Sequence, residues 1–130
     1  MNDAPIDSQG LPEGYNFREG DELLPRVVRD RIKAGDGLVL VDCREDDELK
    51  TVSISGALHV PLGKMMNEPQ DFADELPEGK DTPTAIICHS GRRSLMATLA
   101  LRRMGFTEIH SVAGGIDLWA RDIDPSLARY

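Results

Sequence analysis

Apolar residues along this chain fall into short continuous runs separated by amphipathic stretches. Leu38-Val39-Leu40-Val41-Asp42 and Thr84-Ala85-Ile86-Ile87-Cys88 are such runs, and Ile109-His110-Ser111-Val112 reads as a third buried strand. Their length and lack of alternation predict strands buried on both faces, as in a parallel sheet. Ala57-Leu58-His59-Val60-Pro61 predicts a further short strand closed by proline. Between these runs the period changes. From Pro25 to Gly35, residues Leu24, Val27, Val28 and Ile32 fall on one helical face, with Pro25 suited to a first helical position and Gly35 to a cap. Asp71 to Leu76 predicts a helical turn before the Pro77-Glu78-Gly79 loop. Ser94 to Met104 has helical periodicity through Leu95, Leu99 and Met104 and stops at Gly105. Gly114-Gly115 turns the chain into a last short helix that carries Trp119. Strands alternating with helices predict an α/β fold with a mainly parallel sheet. Sites in such folds form beyond the carboxyl ends of strands, and Cys88 stands at such an end.

This pattern divides the chain into a polar, Gly- and Pro-containing N-terminal arm over 1–19, expected to be flexible, a domain over 20–121 and a surface tail over 122–130. A length of 130 residues suits one domain, and 40% hydrophobic content suffices for one core. A net charge of −8 repels nucleic-acid phosphates and anionic membranes, so neither is an expected partner. No stretch approaches the roughly 20 apolar residues of a membrane span. The start Met1-Asn2-Asp3-Ala4-Pro5 lacks the basic and apolar parts of a secretory signal. The expected location is the cytoplasm, where the two cysteines, Cys43 and Cys88, remain free thiols.

The densest chemistry lies in Cys88-His89-Ser90-Gly91-Arg92-Arg93-Ser94, between a predicted strand and a helix start. Amides at a helix N-terminus have no intrahelical partners and carry partial positive charge. A tight loop there curls its N–H groups around one atom, and Gly91 permits the backbone angles of that curl. A Cys88 sulfur at the focus becomes a stabilised thiolate with a lowered pKa. Arg92 and Arg93 are cations in an acidic chain, and guanidinium forks suit oxyanions such as thiosulfate, sulfonate, phosphate or arsenate. Nucleophile, donors and oxyanion clamp thus fall within six residues, Cys88 to Arg93.

Cys88-x-x-Gly91-x-Arg93-Ser94 after a strand resembles the active-site loop of rhodanese domains. Val41-Asp42-Cys43-Arg44-Glu45 resembles the family's Asp-x-Arg strand end, and Ile54-Ser55-Gly56-Ala57 its Ile-x-Gly-Ala turn. Arg103-Met104-Gly105-Phe106 and Ala113-Gly114-Gly115-Ile116-Asp117-Leu118-Trp119 resemble its later signatures. The resemblance implies a five-stranded parallel sheet flanked by helices and a ping-pong sulfurtransferase. In that reaction Cys88 takes the outer sulfur of a small anionic donor as a persulfide. A thiol, cyanide or protein acceptor then removes it, and no metal or organic cofactor is implied. His89, Ser90, Gly91, Arg92, Arg93 and Ser94 would bind the substrate. In the same family, related phosphatases and arsenate reductases use a loop one residue longer, so the loop here favours sulfur. The chain departs from the family at Val52-Ser53, which replace Gly-His, and at Leu49, which replaces an aromatic residue. The alternatives are an arsenate reductase or phosphatase on the same loop, and a sulfur-carrying or redox-sensing module without turnover.

Other chemistry-bearing residues have simpler readings. Cys43 is expected to pack in the core, with a resolving thiol as the alternative if it lies near Cys88. Asp42 and Arg44 are expected to support the loop, the carboxylate holding amides and Arg44 pairing with a nearby acid. His89 reads first as a solvent-facing residue of the loop and second as a general acid. His59 and His110 lack ligand spacing. Trp119 reads as a core plug, and Glu45-Asp46-Asp47-Glu48 as a solvated turn or helix start.

Overall fold

The computed structural model describes residues 3–130. Five strands form one sheet: β1 (Glu22–Leu23), β2 (Val39–Asp42), β3 (Leu58–His59), β4 (Thr84–Ile87) and β5 (Ile109–Val112). Their order is β1-β5-β4-β2-β3, and every pairing is parallel. Six α-helices accompany them: α1 (Pro25–Ala34), α2 (Asp46–Thr51), α3 (Leu62–Asn67), α4 (Pro69–Asp74), α5 (Arg92–Arg103) and α6 (Gly115–Asp122). The central strand is β4, all four residues of which are buried.

A side-chain period of two along each strand feeds two cores. Val41, Ile86 and Ile109 join Met65 of α3, Phe72 and Ala73 of α4, and Ala97 and Leu101 of α5 on one face. Leu40, Ala85, Ile87 and Val112 join Val28 of α1 and Ile116 and Trp119 of α6 on the other. Trp119 is buried there, as its core reading expects.

Helix α1 begins with Pro25 at its first positions and ends where Gly35 takes φ 66°, a left-handed cap donating to Arg31 and Ile32 carbonyls. Its buried stripe is narrower than its apolar pattern. Val28 is fully covered, whereas Val27 and Ile32 remain 38% and 42% exposed. The sequence pattern identifies an apolar face, but tertiary packing decides how much of it is covered. Helix α2 starts at a capping box in which Glu45 and Glu48 satisfy each other's backbone N–H groups. The segments that became β1 and α3 went unread in the sequence because two strand residues and a six-residue helix are too short for a period.

Where the sequence predicts a flexible arm, the structure packs chain against the domain. Leu11 is buried in a small cluster with Ala113 and Leu118, flanked by Ile6, Tyr15 and Phe17. The Tyr15 hydroxyl donates to Glu22 at 2.6 Å and accepts from the Gly114 amide at 3.0 Å. Sparse apolar anchors within a polar segment leave no periodic signal. The tail also returns to the domain. Arg129 pairs with Asp3 and Asp117, and Tyr130 reaches the loop after β4.

Candidate active site

Cys88 lies one residue past β4, and the chain curls from it into α5. The Gly91 amide donates to Cys88 Sγ at 3.1 Å and the Ser94 amide at 3.4 Å. The Ser94 hydroxyl lies 3.3 Å from the same sulfur and 2.8 Å from Ser111 Oγ on β5. Gly91 caps the helix at φ 104°, a value that a side chain rarely adopts and that the curl requires. The sulfur sits at the mouth of a helix N-terminus, and Cys88 as a whole is only 1% exposed.

These contacts move its titration. The neighbouring Cys43 side chain makes the largest contribution, holding the Cys88 thiol well below the ordinary range. Burial opposes this, and the Ser94 hydroxyl and the Ser94 and Gly91 amides add to the lowering. The neighbouring Cys88 sulfur, with burial, pushes the Cys43 thiol up. The two thiols are thus shifted in opposite directions, Cys88 down and Cys43 up.

The loop is held from outside by α6. The Ile116 amide donates to the Cys88 carbonyl at 2.8 Å and the Asp117 amide to the His89 carbonyl at 3.1 Å. Gly115 makes this approach possible. At φ 62°, a Cβ built on it would meet the His89 carbonyl oxygen, with the Cys88 carbonyl oxygen at 2.6 Å. Gly115→Ala is expected to cost roughly 1–3 kcal/mol, since backbone rather than a flexible side chain must give way. The loss should register as a lower urea midpoint together with slower alkylation of Cys88. An unchanged midpoint would remove Gly115 as the spacer.

The remaining loop residues divide. Ser90 and Arg92 face solvent, and the His89 ring stacks on Tyr130 with centroids 4.0 Å apart. Arg93, expected as an oxyanion clamp, instead grips Glu48 through two bonds of 2.6 and 2.9 Å. That grip holds the Glu48 carboxyl at about 2, the Arg93 bonds being the main cause and the Tyr130 hydroxyl adding to it against burial. Arg92 forms no ion pair among the described residues. It lines a cleft of about 270 Å³ with Tyr15, Arg18, Ser90 and Gly91. Arg92→Ala should therefore raise KM for an anionic donor several-fold with little change in kcat, an effect that fades as salt screens the charge. Steady-state kinetics at two ionic strengths checks this; equal KM values would dismiss the role.

Asp42 and Arg44 lie where β2 ends. Asp42 accepts from the Arg44 amide at 3.0 Å and from the Arg44 guanidinium at 2.8 to 3.1 Å. Arg44 also donates to the Val52 carbonyl and the Tyr130 hydroxyl, and its side chain is fully buried. Glu48, Ser111, Tyr15 and Tyr130 belong to this neighbourhood and were not singled out for it in the sequence. Glu48 carried only a helix-start signal. Tyr130, 41 residues from His89, carried none. No group of carboxylates, histidines and cysteines able to hold a metal occurs among the described residues.

A cysteine in an amide cradle at the carboxyl end of a central parallel strand is the distinguishing feature of this α/β domain. The family model described as rhodanese-like domain matches residues 24–122, and the chain belongs to that family. A probable adenylyltransferase/sulfurtransferase, MoeZ of Mycobacterium tuberculosis, is 32% identical over 112 residues, 86% of this chain and 28% of MoeZ. A putative sulfur carrier protein, YrkF of Bacillus subtilis, is 34% identical over 110 residues, 82% of this chain and 56% of YrkF. This chain thus spans about a quarter to a half of those curated relatives. A rhodanese-related protein from Thermoplasma volcanium superposes with a TM-score of 0.67 at 25% identity, over 85% of this chain and 99% of that one. No helix among the described residues is long and apolar enough to cross a membrane.

Proposed function

We propose that this domain moves sulfane sulfur from a small anionic donor of the thiosulfate kind to a nucleophilic acceptor through a persulfide on Cys88. The observation that carries the reading is the convergence of the Gly91 and Ser94 amides and the Ser94 hydroxyl on Cys88 Sγ. The thiolate attacks the outer sulfur of the donor; an S–S bond forms, and the donor's own S–S bond breaks with its electron pair leaving on sulfite. The cradle donors then face a persulfide, which a thiol, cyanide or protein-borne nucleophile relieves of its outer sulfur. Similarity to chains named sulfurtransferase and sulfur carrier supports this. A cytoplasmic, reducing compartment suits two free thiols.

A phosphatase or arsenate reductase is less well supported. The loop from Cys88 to Arg93 has six residues, one fewer than the resemblance gives for such enzymes, which leaves less room for a phosphoryl or arsenyl group at the sulfur. A carrier module without turnover would share the first half-reaction and fail only in the second.

The test is intact mass after incubation with thiosulfate, with and without reductant. A reducible gain of one sulfur supports the persulfide, and its transfer to cyanide separates an enzyme from a carrier. No gain, with hydrolysis of phosphate esters or reduction of arsenate instead, would replace the reading. Alkylation of Cys88 should also follow a pH profile whose midpoint lies below the free-thiol value of about 8.5. The sign follows from the cradle: stabilising the anion lets the thiol ionise at lower pH. A midpoint at or above that value would defeat the proposed activation.

A further inference from the structure

We infer that Cys43 is a resolving thiol for Cys88: when a hydroperoxide oxidises Cys88, Cys43 captures it as an intramolecular disulfide. The register of the sheet carries this. Asp42 pairs with Ile87 across β2 and β4, and the ladder continues one step, with the Cys43 amide donating to the Ile87 carbonyl at 3.0 Å. Cys43 and Cys88 are thereby lateral neighbours at the carboxyl ends of adjacent strands. Both side chains lie in the same apolar cluster, on the face covered by α3, α4 and α5. Adjacent strands run about 4.8 Å apart, inside the roughly 4.4–6.8 Å of Cα separation that a disulfide bridges.

Burial makes the pairing selective. Cys43 is 0% exposed, so its sulfur is closed to outside thiols, while Cys88 lies beside it.

The chemistry balances with the hydroperoxide as oxidant. The Cys88 thiolate attacks one peroxide oxygen; an S–O bond forms, the O–O bond breaks, and the leaving alkoxide or hydroxide takes a proton to give an alcohol or water. Cys88, now a sulfenic acid, has lost two electrons to the peroxide. Cys43 sulfur then attacks Cys88 Sγ, its proton passes to the departing hydroxyl, and water leaves as the S–S bond forms. External thiols later reduce the bridge and restore Cys88. The device protects a reactive thiolate from irreversible oxidation to sulfinic and sulfonic acids.

The test is brief exposure of the full chain to hydrogen peroxide, followed by intact mass, a non-reducing peptide map and Cys88 alkylation before and after reductant. The expected wild-type product has lost the mass of two hydrogens, links the Cys43 and Cys88 peptides, and regains full Cys88 alkylation on reduction. Cys43→Ala and Cys43→Ser should instead gain oxygen at Cys88, with reducible recovery down by about tenfold or more. The wild-type map stands by itself should either variant fold poorly. Oxygen gained at Cys88 of the wild type without the linked peptide, or a bridge between two chains, would overturn the inference. Alkylation reads Cys88 directly, so the outcome is independent of whether thiosulfate is the donor.

Discussion

Cys88→Ser is expected to remove sulfur transfer, lowering the rate by on the order of a thousandfold or more, as loss of a nucleophile does elsewhere. The fold should survive. Serine is nearly isosteric, and its oxygen accepts from the Gly91 and Ser94 amides that now serve the sulfur. A hydroxyl has no counterpart to the persulfide and is not ionised in this cradle at neutral pH, so neither half-reaction proceeds. Intact mass with thiosulfate should show no added sulfur, while the free energy of urea unfolding stays within about 1 kcal/mol of wild type. Retained turnover in a folded variant would place the nucleophile elsewhere.

Asp42→Ala has the largest expected effect on stability, about 3–5 kcal/mol, because it strips the partner from a buried charge. Arg44 and Asp42 side chains are 0% and 2% exposed. The guanidinium would keep only the Val52 carbonyl and the more exposed contacts with Glu48 and Tyr130. The Arg44 amide would lose its acceptor as well. Adding Arg44→Met should return part of the loss, since removing both partners also removes the stranded charge. Urea unfolding of the single and double variants decides this. A cost below about 1 kcal/mol for Asp42→Ala would mean that solvent reaches Arg44 and that the pair is not the brace of the β2 end.

Much of the fold was legible because burial imposes composition. A strand covered on both faces is rich in apolar residues, and so β2 and β4 stood out in the sequence as runs. Val28 and Val27 illustrate the limit. Both are valines on the predicted apolar face of α1, yet one is covered and the other is exposed. Periodicity gives the direction of a face and not the width of what packs against it. The cradle was legible for a different reason: amides at a helix start after a glycine converge on whatever precedes them, and Cys88 is that residue.

The fate of the arginines was not legible. Arg92 and Arg93 are adjacent and identical in type, but one faces solvent and the other is bound to Glu48. Which acid an arginine meets depends on chain far away in sequence. Likewise Tyr130 carries no local signal of its stacking on His89.

The class of fold and the loop that cradles Cys88 were thus legible in the sequence, because they depend on local composition and on contacts within a few residues. Only the tertiary structure decided what surrounds them. Strand order set Cys43 beside Cys88 in one buried cluster. Helix approach made Gly115 a spacer against the loop backbone. Such outcomes depend on which elements become neighbours, and that is settled by the packing of the whole chain and by no single segment of it.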